Sequence, residues 1–105
     1  MSIADDRQMI AFRMVKHERI RQDAKWGEQD HDPFCWITIL GEEFGEASRA
    51  AMERHFGNGT DAELMTELAH VAAVAVAAIE CLLRGTWSWG QQTHGKGPEV
   101  LNEEA

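Results

Sequence analysis

Apolar residues along this chain recur mostly at spacings of three and four, the period of a helix and not of a strand. Residues 4–24 contain no glycine or proline and read as a charged, amphipathic helix, with Ile10, Phe12, Met14 and Ile20 as inward positions. "KWGEQDHDP", residues 25–33, breaks that helix. Gly27 is its stop, and Asp32-Pro33 is an N-cap followed by proline at the first helical position. A second helix is predicted from about Pro33 to Arg54, with Trp36, Leu40, Phe44, Ala47 and Ala51 forming one apolar stripe. "HFGNGT", residues 55–60, is a turn, and Thr60 with Glu63 makes a capping box. The box opens a third helix near Asp61, which runs to about Arg84 and stops at Gly85.

This pattern predicts an all-α fold, a helical bundle of about three main helices. Helices two and three, joined by a short loop, are expected to form an antiparallel hairpin. The helical domain covers residues 1–85, and a glycine-rich tail covers residues 86–105, with Trp87 and Trp89 docking on the body or on a partner chain. The third helix is apolar nearly all round from Leu68 to Leu83. Such a helix cannot face water, and two other helices from one chain can hardly surround it. It is therefore expected at the centre of a homo-oligomer, a homodimer or homotetramer.

Charge and length narrow the function. The chain has 105 residues and a formal net charge of -8, from 18 acids against 10 bases. That balance disfavours nucleic acid and anionic membranes as partners, so an anionic ligand would need a metal ion to mediate. "LAHVAAVAVAAIECLL", residues 68–83, is short for a membrane span and interrupted by His70 and Glu80, so a buried helix fits it better. The N-terminus "MSIADDRQMI" has early acids and no long apolar core, unlike a signal peptide. Cys35 and Cys81 lie in apolar runs and read as buried, reduced thiols, which together with the N-terminus predicts a cytoplasmic protein.

"ILGEEFGEASRA", residues 39–50, sets Glu42, Glu43 and Glu46 on a half-buried helix. On the helical wheel Glu43 lies nearest the apolar stripe, Glu46 follows one turn along, and Glu42 lies more toward the outside. On the third helix, Glu67 and His70 are three apart and share a face. Counted from the turn, Glu46 and Glu67 stand within roughly one helical turn of each other in height. Three carboxylates and a histidine therefore converge, and a divalent cation would relieve their repulsion. Oxygen-rich sites of this kind suit Mg²⁺ or Mn²⁺.

"GEEFGEASRA" and "ELAH", with 20 residues between Glu46 and Glu67, resemble the E-E-x-x-E … E-x-x-D signature of MazG-like, all-α nucleoside triphosphate pyrophosphohydrolases. The upstream "DAKWGEQDHDPFCWITILGEEFGE" is similar to the stretch preceding that motif in the dCTP pyrophosphatase branch. The likeness covers roughly residues 16–84 and is nearest to small phage and bacterial members. It implies Mg²⁺-dependent hydrolysis of a nucleoside triphosphate substrate to monophosphate and pyrophosphate. It also implies that Glu43, Glu46 and Glu67 bind metal and that Glu42 orients or deprotonates the attacking water. His70 stands where the family has Asp, as a ligand, an outer-shell donor or a packing residue, and imidazole favours Mn²⁺ or Fe²⁺ over Mg²⁺. Arg21, Lys25 and Arg49 are the candidate phosphate contacts, and Trp26, His31 and Trp36 the candidates for the base, although Trp36 also fits the core. Two other readings remain. Glu67-x-x-His70 is also the unit of carboxylate-bridged di-iron bundles. The chain also reads as a non-catalytic helical interaction module.

Overall fold

The computed structural model describes residues 3–89 and is all-helical: α1 (Ile3–Trp26), α2 (Pro33–His55) and α3 (Asp61–Arg84), with no strand among the described residues. Each end has a local cause. Asp5 and Asp6 occupy the first turn of α1 and Lys25 its last, the signs that a helix dipole favours. Gly27, at φ 72°, ends α1 and donates its N–H to the Asp23 carbonyl. The Asp32 carboxylate accepts the Cys35 N–H at 2.8 Å, and Pro33 follows it at the start of α2. Thr60 and Glu63 close a reciprocal capping box on α3, and Gly85 ends that helix in the left-handed region at φ 68°. These boundaries match the expected ones to within a residue or two.

α3 is the central element. It packs against both α1 and α2, whereas α1 and α2 make no close backbone approach to each other. Its buried face is small and apolar: Ala73, Val74, Ala77 and Cys81. Trp36 of α2 covers Val74, Ala77 and Cys81, joined by Ile39, Leu40, Ala78 and Trp87. The 27–32 loop is tied to the end of α3: Arg84 donates to the Gln29 carbonyl and to Asp30, and Thr86 donates to the same Asp30 carboxylate. Trp89 meets Phe34 and Trp87, so both tail tryptophans dock on the body. The rest of the tail, residues 90–105, lies outside the described residues.

Two stripes differ from expectation. On α2 the inward positions are Trp36, Leu40, Glu43, Ala47 and Ala50, while Phe44 and Ala51 are exposed. At about 100° per residue, two successive steps of four drift by roughly 80°, so the face continues at 43 and not 44. Glu43 thus occupies a core-stripe position. On α1, Ile10, Phe12 and Ile20 are exposed in the single chain, Met14 is half-buried, and the most buried residues are Glu18 and Arg19. α1 docks through Arg19, whose guanidinium donates to both Glu80 oxygens, at 2.6 and 3.2 Å, and pairs with Asp23.

By length and composition α3 is long and apolar enough to cross a membrane. Its Glu67, His70 and Glu80 engage side chains of α1 and α2 or of α3 itself.

Candidate metal centre and groove

Because α1 and α2 both lean on α3 without a close backbone approach to each other, a groove opens between them. It encloses about 410 Å³. α1 lines it with Glu18, Arg21, Gln22, Lys25 and Trp26, α2 with Trp36, Ile39, Glu43 and Glu46, and α3 with His70, Val74 and Ala77.

At the edge of this groove three ligand atoms converge, two from its lining (Glu43 and His70) and one, Glu67, from a neighbouring cleft. Glu43, Glu67 and His70 each present one donor atom, all within 4.8 Å of one another. His70 Nδ1 lies 3.4 Å from Glu67 Oε1 and 3.8 Å from Glu43 Oε1. Glu67 Oε1 is buried and accepts no hydrogen bond, so a lone pair is left facing the cluster. Two hard oxygens and an imidazole are a donor set that suits a divalent ion of the Mn²⁺ type, and Mg²⁺ less well. Burial, reinforced by the Glu46 charge and by Glu67 and Glu18, lifts the Glu43 carboxyl above its ordinary range against the opposing pull of His70.

The other sequence candidates are distributed as follows. Glu46 lines the groove beside Glu43 but lies outside the three-donor cluster, and it also borders a second cleft with Glu67 and Arg49. Glu46 therefore stays near Glu67 in height, as expected, but it is Glu43 whose donor atom joins Glu67 and His70. Glu42 is exposed and is not part of the groove lining. Lys25 and Trp26 share the groove, with Lys25 Nζ 4.9 Å from the Trp26 ring centroid. Arg21 is half committed, because its Nε and one terminal nitrogen donate to Glu18 at 2.9 and 2.7 Å. Arg49 lines the second cleft and not the groove. His31 packs edge-on against Trp36, 4.8 Å between ring centroids, away from the groove lining. Trp36 is core, as expected, and its outer edge reaches the groove.

Glu18 was not among the sequence candidates, yet it is buried against His70, with its Oε1 3.6 Å from His70 Nε2. The signal that would have found it is the spacing Met14, Val15, Glu18, Gln22, which is the true inward face of α1. Comparison of the chain with protein-family models, with curated proteins and with solved structures gives no match.

Proposed function

We propose that the chain is a MazG-like, metal-dependent nucleoside triphosphate pyrophosphohydrolase, cleaving an NTP or dNTP to the monophosphate and pyrophosphate. The observation that carries this reading is the meeting of Glu43, Glu67 and His70, two of which, Glu43 and His70, line a groove that also holds Arg21, Lys25 and Trp26. The motif resemblance had assigned Glu43 and Glu67 to a metal, and it says nothing of where Lys25 and Trp26 should lie relative to them.

Glu43, Glu67 and His70 would hold the ion, Mg²⁺ or more readily Mn²⁺, which supplies neutralisation of charge on the phosphate oxygens. The chain's own residues do the rest. Lys25 and the free nitrogen of Arg21 bind phosphate oxygens, and Trp26 offers a 60 % exposed ring for stacking on the base. A carboxylate of α2 orients the attacking water as general base. Glu46, beside Glu43 in the groove lining, is the base we propose, since Glu42, the base implied by the resemblance, is exposed and outside that lining.

The assembly we propose is an antiparallel α2–α3 hairpin completed by a second copy in a cytoplasmic homodimer or homotetramer. The ladder of neighbours supports the hairpin: Trp36 with Cys81, Glu43 with Glu67 and His70, Arg54 with Asp61. Exposed Phe34, Ile37, Phe44, Ile79 and Leu83 support further association.

The test is a panel of NTPs and dNTPs with Mg²⁺ or Mn²⁺, following both products. Monophosphate with intact pyrophosphate is expected, lost in Glu43→Gln and Glu67→Gln while circular dichroism is retained. Orthophosphate release, or unchanged rates in both variants, would overturn the proposal. No turnover and no metal response would leave the non-catalytic module as the reading.

A further inference from the structure

His70 has a carboxylate on each side. Nδ1 faces Glu67 and Glu43 at 3.4 and 3.8 Å, and Nε2 faces Glu18 on α1 at 3.6 Å. Glu18 is an unusual residue to find here, because it is only 7 % exposed. Burying a carboxylate is costly unless something holds it in place. What holds Glu18 is the Arg21 fork, with Nε on one oxygen at 2.9 Å and a terminal nitrogen on the other at 2.7 Å, and Gln22 adds a third donor at 3.4 Å. All these donors come from α1 itself. Surface exposure would serve the Glu18–Arg21 pair equally well, so the pairing does not account for the burial. The remaining neighbour is the imidazole.

A metal-ligating histidine commonly donates its other ring N–H to a carboxylate, which fixes the tautomer and the ring orientation. We propose that Glu18 is a positioning residue for the site: it accepts the Nε2–H of His70 and so turns Nδ1, as a free lone pair, toward Glu43 and Glu67. This rests on the metal-dependent reading above and extends it to α1. The 3.6 Å separation is longer than a direct N–H···O bond by about half an ångström, a gap that a small side-chain rotation closes. Glu18 is pinned by Arg21, so the ring makes that adjustment. The departure from the family's Asp then has a structural counterpart. A carboxylate at position 70 needs no partner to orient it, whereas an imidazole does, and the chain supplies one from a different helix.

Two measurements test the proposal. The first is long-range ¹H–¹⁵N NMR of the protein loaded with a diamagnetic divalent ion, Mg²⁺ or Zn²⁺, and the proton is expected on Nε2. The second is Mn²⁺ titration followed by electron paramagnetic resonance in four proteins: unaltered, Glu18→Gln, His70→Asp and the double variant. Glu18→Gln is expected to weaken Mn²⁺ about 10- to 100-fold in the unaltered background. It is expected to change affinity less than about twofold in the His70→Asp background, where no imidazole remains to be oriented. Equal losses in both backgrounds, or an Nδ1–H tautomer in a protein that binds Mn²⁺, overturn the Glu18 proposal and leave the metal site standing. Failure of the unaltered protein to bind Mn²⁺ overturns the metal reading and this extension with it. Should Glu18→Gln not fold, the tautomer of the unaltered protein still decides.

Discussion

Glu43→Gln is expected to move stability in opposite directions with and without a divalent ion. Glu43 sits on the inward stripe of α2, with its donor atom within 4.8 Å of Glu67. Two unit charges at that distance repel by about 0.9 kcal/mol in a water-like medium and about 3.5 kcal/mol at an effective dielectric of 20. Both side chains are about a quarter exposed, and His70 offsets part of the repulsion, so about 1 kcal/mol is the reasonable expectation. For a domain of this size that raises Tm by about 4–8 °C in EDTA. The pH dependence has a definite sign. The Glu43 carboxyl is raised from its ordinary 4.5, so the folded state holds its proton more tightly than the unfolded chain. Its contribution is therefore harmless below the unfolded value and is lost as pH rises through the folded one. The advantage of Glu43→Gln should vanish in acid and be fully developed at neutral pH. With Mn²⁺ at about 100 times its dissociation constant the unaltered protein gains about 2.7 kcal/mol, and the variant forfeits most of that. Melts by circular dichroism at fixed protein concentration, with EDTA or MnCl₂ and across pH 4–8, make the comparison. A variant that is no more stable than the unaltered protein in EDTA at pH 7 would refute the reasoning.

Arg19→Met should cost less than Glu80→Ala in urea denaturation, because the first frees a 42 % exposed carboxylate to water and the second leaves a buried guanidinium with only Asp23 and Gln22 as partners, a loss of about 1 kcal/mol. The reverse order would show that the Arg19 stem, and not its pairing, docks α1. Thr60→Ala should cost about 1 kcal/mol through loss of the α3 capping box, read in the same assay. His70→Asp should shift the metal preference from Mn²⁺ toward Mg²⁺ in competition titrations, since it exchanges a nitrogen donor for a hard oxygen. An unchanged Mn²⁺ to Mg²⁺ ratio would exclude His70 as a ligand.

Features set within a few residues were legible in the sequence. Asp32-Pro33, the Thr60–Glu63 box and Gly85 act on their own helix ends, and each does what its residue type dictates. Features set between helices were legible only in part. In the α2 stripe two successive steps of four, Trp36 to Leu40 to Phe44, drift off the inward face, which continues at Glu43. The height estimate stands, since Glu46 shares a cleft with Glu67, but the donor cluster is formed with Glu43, one turn back on the inward face. On α1, hydrophobicity pointed to Ile10, Phe12 and Ile20, whereas the face toward α3 carries Glu18, Arg19 and Gln22. A polar inward face leaves no apolar periodicity to read, because its partners, Glu80 and His70, lie over fifty residues away in the chain.

That polar face bears on function as well as on legibility. The chain divides its interior into two parts along α3. Around Trp36, Val74, Ala77 and Cys81 it packs apolar side chains and ties the neighbouring loop down with Arg84. Two to three turns toward the start of α3, the corresponding inward positions of all three helices are Glu18, Glu43, Glu67 and His70. A sequence selected only for stability would place leucine or alanine at such positions, since each carboxylate is partly desolvated and faces others of the same sign. Local rules are broken in this way mainly where a site requires it. The carboxylate and histidine cluster lies at one level, is contributed by every helix, and borders a groove carrying Lys25 and Trp26. A structural acidic patch has no need of that access, whereas a site that holds a cation against a phosphate does.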